Sequence, residues 1–291
     1  MEYTGNVYRP PSEARSLIIQ ATVGCSCNTC AFCTMYKDKR FYIRREEDIE
    51  ADLKEISSMR YAHLIRRIFL ADGDALIIGT DKLIKILDMC YSYFPACERV
   101  TSYASPKSLL LKSEDELKEL KSHGLYMVYL GLESGSDKVL ELMKKGSSSD
   151  KIIEGAIKAR EAGIALSVTA ISGLGGRDLM EEHAALTAKA LSAMNPEYTG
   201  LLTLEICKGT PLYDWKEEGK FKVLSADEVL LETRMLLSKI SCPGSVFRMN
   251  HASNYLSLAG TLDKDRQSLI DKIDDALSGK YHLREEWQRR L

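Results

Sequence analysis

Short apolar segments with strand character alternate along this chain with stretches of helical spacing, and that alternation limits the possible folds more than any other feature. The strand-like segments lie at 17–23, 66–71, 99–103, 127–132, 164–171, 198–206 and 246–249. Between most of them apolar residues recur on one helical face. Leu83, Ile84, Leu87 and Cys90 form one such set, and Ile152, Ile153, Ala156 and Ile157 another. Val229, Leu236, Leu237 and Ile240 follow, then Leu269, Ile270, Ile273, Ala276 and Leu277. A strand and a helix about every 30–50 residues predict parallel strands joined by right-handed crossovers. Six or seven such units predict an α/β fold, a partial or complete (β/α) barrel of parallel strands with surrounding helices. The expected division is an N-terminal extension at 1–14, a core barrel at 15–205, and a C-terminal βα extension at 206–291 that completes the barrel and its substrate side.

Composition narrows the class. With 45% apolar and 28% charged residues the chain reads as globular, not disordered, collagenous or coiled-coil. Its 40 Lys and Arg nearly balance 42 Asp and Glu, so no overall basic field marks nucleic acid as the principal partner. Apolar runs fall short of the roughly 18–20 residues a membrane span needs. The first ten residues lack a charged-then-apolar leader pattern, and the expected location is the cytoplasm.

Half of the eight cysteines, Cys25, Cys27, Cys30 and Cys33, fall within nine residues. In a reducing compartment thiols packed this densely read as metal ligands, because neighbouring thiolates repel unless a cation holds them. Zinc is one option, although zinc sites commonly draw ligand pairs from separated turns. A redox dithiol at Cys30 and Cys33 would leave the other two idle. Four thiols in one tight loop suit an iron–sulfur cluster better. Cys90, Cys97, Cys207 and Cys242 read as small core side chains.

In a parallel α/β fold the loops after the strand C-termini gather on one face, where ligand chemistry sits. The unusual residues all fall in such loops. The cysteines follow the first strand and Ala71-Asp72-Gly73-Asp74 the second; Gly131-Leu132-Glu133-Ser134 ends the fourth, and Ser172-Gly173-Leu174-Gly175-Gly176 follows the fifth. That distribution marks an enzyme.

The cysteine loop resembles the signature of radical S-adenosylmethionine (radical SAM) enzymes, in which three cysteines bind a [4Fe–4S] cluster and the fourth iron stays open for the amino and carboxylate groups of SAM. Cys30-Ala31-Phe32-Cys33 matches the second half of the family's C-x3-C-x2-C spacing, including the aromatic residue before the last cysteine. The first half departs from it: four residues separate Cys25 from Cys30, two separate Cys27 from Cys30, and Ser26 stands where the common ligand would be. The resemblance implies Cys25, Cys30 and Cys33 as ligands, with Cys27 either a spare or the true first ligand. It further implies that Asp72, Gly73 and Asp74 hold the methionine amino group, that Ser102, Tyr103 and Glu133 contact ribose or methionine, and that Ser172 and Gly173 lie in the motif whose backbone receives adenine. An ordinary Asp-Gly turn is the plain alternative at 72–73. The likeness covers about residues 15–205 and is nearest to the coproporphyrinogen-oxidase-like branch in its Gly-Leu-Glu-Ser and Gly-Leu-Gly-Gly segments.

The implied chemistry is reductive cleavage of SAM to methionine and a 5′-deoxyadenosyl radical that abstracts hydrogen from a substrate, fed by an external electron donor such as flavodoxin or ferredoxin. Among residues outside the resemblance, Phe247-Arg248-Met249-Asn250-His251-Ala252-Ser253-Asn254-Tyr255 concentrates polar groups after the last expected strand. Arg248, His251 and Asn254 are candidates for holding substrate, with turn capping as the structural alternative. Cys207, after the sixth strand, is a candidate hydrogen-atom donor. The only short basic run, Lys37 to Arg40 with Arg44 and Arg45, and the lack of a second cysteine cluster favour a small-molecule substrate. An RNA-modifying enzyme and a zinc-binding interaction module are the alternatives.

Overall fold

The computed structural model describes residues 1–289; the last two residues of the 206–291 extension lie outside the described residues. The chain forms two compact units. One comprises Met1–Asn28, Met35–Leu130 and Glu154–Leu166; the other comprises Thr29–Thr34, Gly131–Ile153 and the chain from Ser167 onward.

In the first unit β1 (Leu17–Gln20) is followed by the short strands β2 (Thr22–Val23) and β3 (Tyr42–Ile43), which pair antiparallel. Then come β4 (Arg67–Ala71), β5 (Arg99–Ala104) and β6 (Leu125–Glu133), the last running three residues into the second unit. β1, β4, β5 and β6 pair in parallel, with Ile18 opposite Phe69, Leu70 opposite Ser102, and Tyr103 opposite Tyr129. Alternation along β4 sends Phe69 and Ala71 to one face, where they pack with Ile18, Met127 and Tyr129. Ile68 and Leu70 are also fully buried, so β4 reads as an unbroken apolar run, as a strand covered on both faces must. Phe69, Tyr103 and Tyr129 meet edge to face at centroid distances of 5.0–6.1 Å.

The helices α1 (Glu46–Ser57), α2 (Thr80–Tyr93), α3 (Pro106–Leu111) and α4 (Glu114–Ser122) connect these strands. In α1, Ile49, Leu53 and Ile56 make the buried stripe, and the acidic first turn complements the helix dipole. Ser113 and Glu116 close a reciprocal capping box on α4. Residues 1–16 are tied to this unit. The Tyr3 hydroxyl donates to Ile18 O at 3.0 Å, and Val7 packs against the inner cluster. Fully buried Glu13 accepts from the Tyr129 hydroxyl at 2.6 Å, from Arg99 at 2.9 Å, and from Ser16.

In the second unit α5 (Asp137–Leu142) and α6 (Ser149–Glu161, whose later residues belong to the first unit) precede β7 (Ala165–Ser172). α7 (Met180–Met194), β8 (Tyr198–Thr203), α8 (Pro211–Glu217), α9 (Ala226–Lys239) and β9 (Val246–Met249) follow. β7, β8 and β9 are parallel, with Ser172 opposite Thr203 and Tyr198 opposite Val246. β10 (Leu258–Thr261) then turns back antiparallel on β9, ahead of α10 (Arg266–Leu277). Every strand expected from the sequence is present, and the α/β class with mostly parallel strands holds. β10 escaped notice because Leu-Ala-Gly-Thr carries no β-branched or aromatic run.

Glu13→Ala would take the carboxylate from the partly buried Arg99 and leave the Tyr129 hydroxyl with Ser12 alone. Equilibrium urea unfolding should register a loss of about 3 kcal/mol, whereas an unchanged midpoint would mean that the N-terminal segment is loosely attached.

Candidate functional site

In the first unit two carboxylates clamp the chain on either side of Cys25. Asp72 and Asp74 follow the end of β4 and are both fully buried. Asp72 Oδ2 accepts from the Gly24 amide at 3.1 Å, Gln20 Nε2 at 2.9 Å and Lys39 Nζ at 3.0 Å. Asp74 accepts from the Ser26 hydroxyl at 2.5 Å, and from the Ser105 hydroxyl and amide at 2.7 and 3.1 Å. Between them the Gly73 amide donates to Gly24 O at 3.1 Å. A Cβ on Gly73 would lie 2.8 Å from the Tyr36 ring and 3.0 Å from Cys25 Cβ, so close approach demands glycine here. The Asp-Gly pair is thus a loop anchor as well as a turn.

Several buried polar atoms of this unit lack a protein partner, among them Asp72 Oδ1 at the anchor and, on β5, Thr101 Oγ1 and Ser102 Oγ. Buried polar groups are bonded in roughly nine cases of ten or more, so the orphan Asp72 Oδ1 beside Gly24 fits a polar ligand, and an ammonium needs an acceptor of this kind. Thr101 and Ser102 are consecutive on β5 and face opposite sides of the sheet. Tyr103, nearby on β5, has its phenol pushed up by burial and further by the charges of Asp72 and Glu13.

The other half of the cysteine loop belongs to the second unit. The Ala31 amide donates to Met143 O at 2.8 Å, Ala31 O accepts from the Leu212 amide at 3.1 Å, and the Thr29 hydroxyl donates to Lys144 O at 3.1 Å. The Cys33 amide closes a turn on Cys30 O at 3.4 Å. Phe32 packs on the apolar cluster of Val139, Met143, Leu174, Leu204, Leu212 and Phe221. None of the eight cysteines is in a disulfide. Among the described residues no group of three or more His, Cys, Asp or Glu is drawn together as a single metal ion would need; the ligand assignment rests on the motif.

Glu133 ends β6 with φ +62° and folds back so that its carboxylate meets Lys145 Nζ at 2.8 Å. A Cβ on Gly131 would fall 2.1 Å from that carboxylate. Ser172 and Gly173, at the end of β7, both donate to Glu232 Oε2 on α9, the hydroxyl at 2.5 Å and the amide at 2.6 Å. His183 on α7 joins the two rim segments: its Nε2 donates to Ile171 O at 3.0 Å and its Nδ1 accepts from the Ser134 hydroxyl at 2.7 Å. Glu232, His183 and Lys145 were missed in the sequence. The available signal was a polar residue on an otherwise apolar helix face, beside Ala184, Thr187 and Leu191 for His183 and beside Val229, Thr233 and Leu236 for Glu232.

The polar segment at the end of β9 is extensively bonded, and Arg248 lies within the strand, paired opposite Gly200 and Ala259, not after it as expected. Arg248 is exposed, and its guanidinium donates to Phe247 O at 2.8 Å and Gly260 O at 3.3 Å. Asn254 is fully buried, accepting from the Thr203 hydroxyl at 2.9 Å and donating to Leu201 O at 3.1 Å. His251 is half-buried, and its Nδ1 accepts from the Ser253 amide at 3.2 Å. Arg284 donates to the carbonyls of His251 and Asn254, and Arg289 to those of Ser253 and Leu204. Cys207 is exposed in the loop after β8, so unlike Cys90 and Cys242 it is not a core side chain.

This combination of fold and loop chemistry has relatives. The sequence profile of the Radical SAM superfamily matches residues 19–188. YtqA of Bacillus subtilis is 26% identical over 204 residues, 68% of this chain and 62% of that protein. The heme chaperone HemW of Bacillus subtilis is 22% identical over 182 residues, 62% of this chain and 47% of HemW. Among solved structures, coproporphyrinogen III oxidase (HemN) from Escherichia coli superposes with a TM-score of 0.56 at 18% identity, over 77% of this chain and 52% of HemN. The chain belongs to the radical SAM superfamily, whose enzymes use a [4Fe–4S] cluster and SAM; the HemW match supports the coproporphyrinogen-oxidase-like branch, and the HemN superposition shows the shared fold. The matches span 33–62% of the length of the curated relatives. Among the described residues no helix is long and apolar enough to cross a membrane.

Two outcomes follow from this geometry. Asp74→Ala should free Ser26 and Ser105 together, so the protein should melt lower and lose iron faster under a chelator; unchanged iron retention would show that Asp74 does not hold the loop. His251 has its pKa lowered from 6.5, mainly by burial and then by Arg284. Its folded pKa lies below the unfolded value, so its contribution to stability is complete above pH 6.5 and is lost as pH falls through the folded pKa. An NMR titration of the ring should place its midpoint below 6.5, and His251→Gln should remove that part of the acid sensitivity.

Proposed function

We propose that this protein is a radical SAM enzyme in which Cys25, Cys30 and Cys33 hold the cluster and a small molecule is the substrate. The observation that carries the reading is the clamp around Cys25. Asp72 and Asp74 fasten the residues on both sides of that cysteine while Asp72 Oδ1 stays buried without a partner. That arrangement suits a loop which must present a thiolate and, beside it, an acceptor for the methionine ammonium. Ser26 is already committed to Asp74, which supports Cys25 over a ligand at position 26.

When bound, cluster and SAM together supply a 5′-deoxyadenosyl radical able to abstract hydrogen. The protein's own share is to bind, orient and keep water away. Asp72 with Gly73 takes the ammonium, Ser102 and Glu133 take hydroxyl or amino groups, and the turn at Ser172 and Gly173 takes the adenine. The near balance of 40 basic and 42 acidic residues supports a small-molecule substrate over RNA. Within the segment after β9, both side-chain polar atoms of Asn254 are engaged by Thr203 and Leu201. Substrate contact is therefore assigned to His251, to Arg248 and, as hydrogen-atom donor, to Cys207. The electron comes from a donor of the flavodoxin or ferredoxin kind.

Anaerobic reconstitution with iron and sulfide should give about four irons per chain and a reduced-cluster EPR signal that SAM perturbs. With a strong reductant, methionine and 5′-deoxyadenosine should then appear slowly without substrate. Serine at Cys25, Cys30 or Cys33 should abolish the cluster and serine at Cys27 should keep it. Stoichiometric zinc without iron uptake would defeat the reading, and cluster loss on Cys27→Ser with retention on Cys25→Ser would move the first ligand.

A further inference from the structure

In the second unit two helices reach the end of β7 through one buried polar side chain each. Glu232 on α9 is 2% exposed. A single carboxylate oxygen receives both the Ser172 hydroxyl at 2.5 Å and the Gly173 amide at 2.6 Å. Gly173 has φ +83°, a conformation open to glycine at no steric cost, and the turn has few other means of fixing its amide. The second oxygen, Glu232 Oε1, is buried without a partner.

From α7, His183 acts one residue earlier. Carbonyl oxygens only accept, so the Nε2 facing Ile171 O at 3.0 Å carries a proton. Nδ1 is then the acceptor for the Ser134 hydroxyl at 2.7 Å, and Ser134 Oγ accepts in turn from the Ser136 amide at 3.0 Å. This chain of bonds runs from the Gly-Leu-Glu-Ser segment to the strand end that carries Ser172. α7 and α9 pack against each other, so both side chains are delivered by one helical layer behind the strand.

Apolar residues would satisfy these two positions at lower desolvation penalty if packing were the only need, because a carboxylate with an open oxygen in a buried site is disfavoured. Burial does push the Glu232 carboxyl up, against the hydrogen bonds from Ser172 and Gly173. The feature gained in exchange is a turn held by directional bonds.

We infer that Glu232 is a positioning residue for SAM, with His183 as its second support: it sets the Ser172–Gly173 turn so that the backbone there meets the adenine. The inference rests on the proposed reading of that turn as the adenine site. Its signature is selectivity within one ligand. Adenine contact should suffer, whereas the methionine moiety, which lies at the cluster and the Asp72 loop, should not.

The test uses the cluster-loaded enzyme and titrates SAM, and separately methionine alone, against the reduced-cluster EPR signal. Glu232→Ala should weaken SAM at least tenfold while leaving iron content and methionine affinity within twofold of the parent. Glu232→Gln keeps the volume and one accepting oxygen and should weaken SAM by three- to fivefold with methionine unchanged; it decides the question should the alanine variant not fold. Asp227→Asn, at an exposed position of the same helix, should match the parent. Unaltered SAM affinity in the Glu232 variants, or equal loss of SAM and methionine, would overturn the positioning role. A parent enzyme that holds its cluster and binds methionine but shows no gain in affinity from the adenosyl group would instead overturn the reading of the adenine turn.

Discussion

The Asp72 carboxylate is the point on which the first unit's chemistry depends. It sits just after β4 with no solvent contact, paired to the largely buried Lys39. One of its oxygens gathers the Gly24 amide that opens the cysteine loop, the Gln20 side chain that ends β1, and the Lys39 ammonium from beyond the cysteines. Lys39 also bonds Asn6 O, and Gln20 bonds Thr4 O. The N-terminal segment, the first strand, and both shoulders of the cysteine loop therefore share one charge. Removing either partner of a buried pair leaves the other uncompensated, a loss of about 3–5 kcal/mol. Such a pair is a poor source of net stability, and its value here is geometric: it makes the loop's path a consequence of the strand's.

The elements most legible in the sequence are those whose signal is local. Ile-Phe-Leu-Ala in β4 and the Val-Tyr-Leu-Gly-Leu run of β6 read as strands because both faces are covered. The 3.6-residue stripes of α2, α9 and α10 were equally plain, as was the position of the glycine- and acid-rich segments after the strands. Other features depend on partners distant in the chain. Glu13 looks like a surface residue of a polar segment until Arg99 and Tyr129, more than eighty residues away, close on it. Asp74 stands beside Asp72 as a candidate for the methionine amino group, and its bonds to Ser26 and Ser105 show only in the fold. His183 and Glu232 lie on helices whose stripes are mostly apolar, and their polarity has no meaning until the end of β7 meets both.

Asn254 illustrates the limit from the other direction. A loop with an arginine, an imidazole, two amides and a phenol reads as a binding segment, yet the Asn254 amide satisfies Leu201 O and the Thr203 hydroxyl at the end of β8. The tail adds to this, with Arg289 stacked 3.7 Å from the Tyr255 ring centroid while donating to Ser253 O and Leu204 O. Residue type alone cannot separate a group that will contact a ligand from one that ties two loops together. Only the count of donors and acceptors already spent does so.

That count also bears on why a cysteine loop of this kind is braced before any cluster arrives. Thiolates crowded into nine residues repel one another, and a loop free to spread would lower the repulsion by separating them. Here the freedom is removed at several points by bonds that involve no thiol. Gly24 and Ser26 are held to Asp72 and Asp74, and Ala31 is held through both its amide and its carbonyl. Gly73 has no space for even one more carbon against Cys25. The entropy of ordering the loop is thus spent during folding, so cluster binding need not supply it. Protons released when the thiols meet iron then remain the main charge change of assembly. On this argument the aspartates after β4 act on the cluster through the backbone they fix, and Asp72 Oδ1, the oxygen that does no such work, is the one left for a ligand.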